Sequence, residues 1–301
     1  MTILTPDTAS QKKLSHINRH ITKHTYLQPA IADLLVLSPV IMSDFTTQSD
    51  YEKEFDAELY LETYFHLGSG SLADDFIRFS VGNFHKIFTS GAVKGDKLID
   101  IGTAPSIYHL LSACESFNEI IATWYTNRDL RVLEKWLKKE PGAFDWSSIV
   151  KHVCELEGTS GKEKEKEEKL RCKIQQILHC DVSKTNPLDP VVVPKADCLT
   201  AAVCLESACR NHDAYGRALK NISNLLKPGG HLLMTGDLGA NYYEVGPNKV
   251  FSLSVNEKFL EKALKENGYA VRQLLAFGKP EDATFDTSDY EGFYFFHAQK
   301  I

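Results

Sequence analysis

Apolar positions along the chain follow two different periods. From Tyr51 to Phe65 (YEKEFDAELYLETYF) the residues Tyr51, Phe55, Leu59, Tyr60 and Tyr64 recur at steps of three and four, the spacing of helix faces. Phe76 to Phe88 repeats that spacing, and Gly91 and Gly95 supply the stop signal. Both stretches predict a helical cap over residues 42–95. The pattern then shifts to short buried runs. KLIDIGTAPSIYHLL reads as a strand from Leu98 to Ile101, a small-residue turn from Gly102 to Pro105 and a helix carrying Ile107, Leu110 and Leu111. Ile120 to Trp124 predicts a second strand and Asp129 to Lys139 a helix. Asp197 to Leu205 and His231 to Thr235 predict later strands, and LLKPGGHLLM a helix end, a Pro-Gly-Gly stop and a strand. With the aromatic run Gly292 to Ala298 as the last strand, the alternation gives an open α/β sheet with an antiparallel edge pair. The run Lys162 to Lys169 (KEKEKEEK) interrupts this order and reads as a solvated helix laced by i,i+4 pairs.

Composition narrows the function classes. A net charge of −6 without a basic stripe offers a phosphate backbone little attractive field, so nucleic acid is not an expected partner. No apolar run reaches the length of a membrane span. The seven cysteines show no paired C-x-x-C spacing and follow no recognisable signal peptide, which points to a reducing, cytoplasmic setting and calls for no metal. Residues 1–41 carry Lys12, Lys13, Arg19 and Lys23 against only Asp7 and Asp33, and read as a disordered extension, with mitochondrial targeting as a minor alternative and Met42 as a second candidate start. The domain is expected over 42–301.

In an open α/β sheet ligands sit beyond the carboxyl ends of the strands, and Asp100-Ile101-Gly102 ends at a turn small enough for backbone amides to approach a nucleotide-like group. The turn by itself is a weak signal, because strand-to-helix junctions need small residues for packing as well.

A longer set of segments speaks more specifically. FTTQSDYEKEF, YLETYF, KGDKLIDIG, LLSACESF, LEKWLKKEPGAFDWS, CELEG, KEEKLR, PKADC and LLKPGGHL closely resemble the nicotinamide, indolethylamine and phenylethanolamine N-methyltransferases over about residues 43–300. The resemblance implies a Rossmann-like class I methyltransferase fold, a mostly parallel seven-stranded sheet with an antiparallel edge hairpin and an N-terminal helical cap. It implies S-adenosylmethionine as cofactor and a small amine or N-heterocycle as acceptor; a monomer is expected. Carried over by position, the cofactor contacts fall on Tyr60, Gly102, Thr103, Tyr108, Tyr125, Asp129, Asp181 and Val182. The resemblance makes Asp181 the expected acceptor for the adenine amino group. Tyr60, Tyr64, Tyr242 and Tyr243 are the expected aromatic walls for sulfonium and product cation. Tyr60 and Glu206 take the catalytic positions, and Glu206, Asp237 and Tyr243 the substrate positions. Asp237 lies one place after the family's acid, which here is Gly236, and a one-residue shift on a strand turns a side chain to the other face.

Several positions depart from the family. Trp124 stands where the family holds the ribose diol with an acid, Ala104 replaces a glycine of the turn, Phe65 a tyrosine of the cap and Ala202 a hydroxyl residue, while Leu253 stands opposite a hydroxyl residue of the substrate region. Two alternatives to an amine or N-heterocycle methyltransferase therefore stay open. One is a weakened or inactive paralogue acting as a binding module, and the other a thioether S-methyltransferase.

Overall fold

The computed structural model describes residues 43–68, 72–279 and 287–301. The readings made for residues 1–41 lie outside the described residues.

The cap comprises α1 (Gln48–Glu54), α2 (Ala57–Tyr64) and α3 (Leu72–Thr89). Thr47 and Asp56 close the first turns of α1 and α2, accepting from the amides of Asp50 and Leu59. Gly91, at φ +74°, follows the end of α3, whereas Gly95 already opens the first strand. There it must be glycine, because a Cβ would lie 2.5 Å from that of Asp197, whose carboxylate accepts from the amides of Asp96 and Lys97.

The sheet contains β1 (Gly95–Ile101), β2 (Phe117–Trp124), β3 (Ile174–His179), β4 (Ala196–Ala202), β5 (Leu226–Leu238), β8 (Tyr269–Gly278) and β9 (Gly292–Lys300). Its order is β3-β2-β1-β4-β5-β9-β8, with β9 antiparallel to both β5 and β8 and the other pairings parallel. This is the expected seven-stranded sheet with its antiparallel edge. A separate hairpin, β6 (Tyr242–Val245) and β7 (Asn248–Phe251), follows β5. Along β1 and β9 the alternation sorts the core into two layers. Leu98 and Phe295 pack with Phe84, Phe88, Leu110 and Trp146, while Ile99, Tyr294 and Phe296 pack with Tyr215, Leu219, Ile222 and Leu260. These layers rest on α3 and α5 (Ser147–Leu156) on one side, and on α8 (His212–Ser223) and α9 (Glu257–Glu266) on the other.

Four expectations need correction. The segment holding Ile107, Leu110 and Leu111 forms two 3-10 turns, Tyr108–Leu110 and Ala113–Glu115, in place of an α-helix. All of 107–114 is buried, so no solvated face exists for an amphipathic helix to present. β4 stops at Ala202, and Leu205 opens the short α7 (Leu205–Ala208). β5 starts at Leu226 and runs through Pro228-Gly229-Gly230, with Gly229 at φ +77°. The charged run forms α6 (Glu163–Lys173), but Lys166 is only 5% exposed, its ammonium held between Glu115 (2.7 Å) and Glu157. The helix expected over 129–139 is α4 (Asn127–Leu137), capped by Thr126.

Candidate active site

The chain runs from β1 outward to β3, then returns to place β4 and β5 on the other side of β1, so the strand order reverses between β1 and β4. A crevice opens beyond the carboxyl ends of such a pair. Here it is a cavity of about 1360 Å³, counting its open mouth, lined at this point by Gly102, Ala104, Ala202, Val203 and Cys204. Gly102 sits at φ +73°, and a Cβ on it would lie 2.7 Å from the Cys204 sulfur. Only glycine gives that turn its shape. The turn is pinned from below: the Gly102 amide donates to Thr123 Oγ1 (2.8 Å), which donates to the Asp100 carbonyl (2.8 Å). Thr103 Oγ1 donates to the same carbonyl and accepts from the Thr123 amide (2.9 Å). The Asp100 carboxylate is itself held by Thr200 (2.5 Å) and His109 (2.8 Å). Thr103 is therefore fully buried in the scaffold of the turn and is not in the cavity wall.

One end of the cavity is bounded by Trp124, Tyr125, Asp129, Cys180, Asp181 and Val182. Trp124, the last residue of β2, stands edge-on to His179 (centroids 4.8 Å apart), and Tyr125 lies over the same imidazole. Asp129 belongs to the first turn of α4, where its amide donates to Thr126 Oγ1 (3.3 Å) and its carboxylate returns toward the Thr126 amide. Yet Asp129 is 2% exposed and its Oδ1 has no partner among the described residues. Burial pushes its carboxyl up to about 7, against the lowering effect of Thr126. Asp181 keeps one oxygen for Ser183 (2.6 Å to Oγ), beside the apolar Val182.

The other end is aromatic. Tyr60 packs against Phe55, Tyr64 and Phe65 at 5.0–5.4 Å and against Tyr243 at 6.0 Å. Tyr64 donates to the Glu244 carbonyl (2.8 Å), tying α2 to the hairpin. Phe76, Tyr290 and Phe293 form a second wall, the last two stacked at 5.0 Å. Asp237, near the end of β5, faces this space, and burial, reinforced by the nearby Glu206, pushes its carboxyl up to about 7.

The cavity thus brings together Tyr60, Gly102, Tyr125, Asp129, Asp181, Val182, Asp237 and Tyr243 of the expected residues. It leaves Thr103, Tyr108 and Glu206 outside its wall. Tyr108 is buried behind Phe65 and Phe76. Glu206 is turned to the opposite side of β5, where it accepts from the Tyr294 hydroxyl and where burial raises its carboxyl to about 7. A Cβ at Gly236 would lie 3.0 Å from Glu206 Oε1 and 2.9 Å from the Tyr294 ring, so the missing side chain makes room for that pair. Tyr242 is also not a wall residue: strand alternation turns it outward, under the Lys249 ammonium at 3.7 Å. Leu253 packs in the core beneath. Unforeseen lining residues include Phe45 and Thr46, held by the Thr46 amide donating to the Ala208 carbonyl (2.9 Å), and the tip residues Cys204 and Ser207. The Cys204-Leu205-Glu206-Ser207 stretch carried the only signal, as a strand end.

A sequence model of the NNMT/PNMT/TEMT family matches residues 43–301. The chain belongs to this family. It is 44% identical over 260 residues to nicotinamide N-methyltransferase of Homo sapiens, covering 86% of this chain and 98% of that one. To indolethylamine N-methyltransferase of Mus musculus it is 49% identical over 223 residues, 74% of this chain and 84% of that one. Among solved structures, magnesium protoporphyrin IX methyltransferase from Synechocystis PCC 6803 with bound SAH aligns at a TM-score of 0.50 with 10% identity, over 84% of this chain and 97% of that one. That likeness shows the class I methyltransferase fold. Within this NNMT/PNMT/TEMT family member, Trp124, Ala104, Ala202 and Phe65 all line the cavity, and Phe65 also packs against Tyr60, Tyr108 and Trp146.

Proposed function

We propose that the protein transfers the methyl group of S-adenosylmethionine to a nitrogen of a small amine or N-heterocycle. The observation that carries this reading is one cavity at the strand-order reversal with a glycine cradle, the buried Asp129 and the half-buried Asp181 at one end and aromatic walls around a carboxylate at the other. Bound there, the sulfonium supplies an already activated methyl group, so alignment and exclusion of water do most of the catalytic work. Gly102 leaves room for the cofactor's backbone contacts. Asp181 accepts from the adenine amino group, with Val182 and Tyr125 against the ring. The orphaned Oδ1 of Asp129 suits a ribose hydroxyl, taking the place of the acid that Trp124 replaces. Tyr60 and Tyr243 face the reacting groups and stabilise positive charge through their ring faces. Glu206 acts as a positioning residue, through its field on Asp237 and its hold on Tyr294. No helix of the described residues is long and apolar enough to cross a membrane, and with its cysteines unpaired the protein suits a reducing cytoplasm, where we expect it to work as a monomer.

Trp124 at the ribose position favours a second reading, a binding module without turnover. Calorimetry with S-adenosylmethionine and S-adenosylhomocysteine, together with S-adenosylhomocysteine release against an amine and heterocycle panel, separates the two. Micromolar binding with turnover supports the enzyme. Binding without turnover on any nitrogen acceptor supports the module, and absence of binding refutes both.

A further inference from the structure

His231 and His297 form a side-chain pair away from the cavity. Across the antiparallel β5–β9 ladder Gln299 faces His231 and Leu233 faces His297, so the two histidines are diagonal neighbours on one face of the sheet. His231 Nδ1 lies 2.9 Å from His297 Nε2, and the ring centroids are 5.0 Å apart. Both strands are interior to the sheet, β5 between β4 and β9, and β9 between β5 and β8, so ladders on both sides hold the two rings on rigid elements. Along β5, His231 stands six residues before Asp237, about 20 Å at ~3.3 Å per residue, and neither histidine lines the cavity. Neither stands out in the sequence, because 66 positions separate them.

The spacing has a meaning beyond a hydrogen bond. Two imidazole nitrogens held at about 2.0–2.1 Å from one metal ion, at a right angle to each other, stand about 2.9 Å apart. The facing nitrogens of His231 and His297 already have that separation. We propose that His231 and His297 are a two-histidine site for a divalent transition-metal ion, copper(II) foremost, with water in the remaining positions. Imidazole suits copper, nickel and zinc, and copper stands highest in the affinity order of the first-row divalent ions. Magnesium and calcium seek oxygen ligands and are not served by two imidazoles. Among the described residues no group of three or more His, Cys, Asp or Glu surrounds one ion, so the site has two protein ligands and no more. In the pair, one facing nitrogen carries the shared proton. On binding, that proton passes through water to the outer nitrogen of its own ring, both facing lone pairs turn to the metal, and no net proton is released. Arg272 of β8 is the charged group acting on both rings, with its guanidinium donating to Gln299 Oε1 at 3.2 and 2.7 Å. Its charge opposes an incoming cation, so binding is weaker than at a closed four-ligand site. The bound ion ties β5 to β9 and stabilises the folded chain, and it takes no part in methyl transfer.

The test titrates copper(II), zinc and magnesium into the full chain, His231→Gln, His297→Gln and the double variant, by calorimetry and electron paramagnetic resonance. Glutamine keeps a hydrogen-bonding amide beside the remaining ring, and melting curves in chelator check that each variant folds. If the double variant does not fold, the single variants carry the comparison. His16, His20 and His24, spaced four apart in the sequence, are present in every variant, so any metal they take is a common background. The parent should bind one copper(II) ion more than the double variant, through two equatorial nitrogens. Its affinity should fall at least about tenfold in each single variant, since losing even a hydrogen-bond partner of a metal ligand costs that much. At about a hundredfold excess over the dissociation constant, copper should raise the melting temperature of the parent by about 5 °C more than that of the double variant. Copper with ascorbate and peroxide should oxidise His231 or His297, located by peptide mass mapping. The inference is overturned if parent and variants bind equal numbers of copper ions with equal affinity, if the melting temperatures rise alike, if magnesium displaces the copper, or if oxidation spares both rings.

Discussion

Replacing Asp129 by Asn separates a ligand role from a helix-capping role, because the two predict opposite signs. Asp129 stands in the first turn of α4 with Thr126 as cap, and it also lines the cavity with Oδ1 unpartnered. If that oxygen holds a ribose hydroxyl, the Asn variant loses one charge-assisted bond, about 1.5–3 kcal/mol. Dissociation constants for S-adenosylhomocysteine then rise about ten- to 150-fold. Stability of the ligand-free protein moves the other way. Burial raises the folded-state carboxyl from 3.8 to about 7, so the folded protein holds this proton more tightly than the unfolded chain. The associated stability is complete below the unfolded value and is lost as pH rises toward 7. At pH 8 the charged group therefore burdens the fold by at most about 4 kcal/mol at ~1.4 kcal/mol per pKa unit, whereas weakening the cap costs only about 1 kcal/mol. The Asn variant should then be no less stable than the parent at pH 8 while binding more weakly. Calorimetry and urea unfolding at that pH measure the two quantities. A dissociation constant changed less than threefold, together with lower stability, would mean that Asp129 serves the helix alone. Adding Trp124→Asp should restore binding in the Asn background and do little in the parent, the non-additivity expected of two routes to one contact.

Gly236→Ala should cost about 1–3 kcal/mol, since its Cβ would meet the Tyr294 ring at 2.9 Å and Glu206 at 3.0 Å; an unchanged melting temperature would show that the pair can move aside. Lys166→Ala should cost about 3 kcal/mol in urea unfolding, at the lower end for a broken buried pair, because Glu115 retains Lys169 while Glu157, 8% exposed, loses its ion pair with Lys166. The ligand-free protein should lose melting temperature between pH 5 and pH 7.5 as Asp129, Glu206 and Asp237 ionise against their burial, each having a raised folded-state value. Glu206→Gln should flatten that decline, and an unchanged slope would show that Glu206 is ionised in the fold without penalty.

What the chain shows by inspection depends on whether a structure repeats locally. β1 and β9 were readable because burial on both faces leaves short, largely apolar runs, and α3 because its aromatic positions keep helical spacing. β3 was not, since an edge strand with Gln175 and Gln176 half in solvent carries no such run. The β6–β7 hairpin was missed because Tyr242, Tyr243 and Glu244 break the alternation of apolar and polar types, though Gly246 at φ +59° marks its turn. In the site, Gly102 and Asp181 follow from their places after strands. The orientation of Glu206 does not, because it is set by Tyr294, which lies 88 residues further along the chain.

The two acidic departures obey one physical rule. At Trp124 the chain lacks a carboxylate after β2, and α4 brings Asp129 to the same end of the cavity. At Gly236 it lacks one on β5, and the vacated volume is filled from the other side by Glu206 and Tyr294, while the next residue, Asp237, points into the cavity. A substitution table would score both places as losses of charge. The cavity, however, responds to where carboxylates lie and to what neutralises them, and the described residues leave Asp129 Oδ1 unpartnered. A buried, unpaired acid such as Asp129 is costly to keep. A ligand that donates a hydroxyl at the Asp129 end of the cavity would offset that cost.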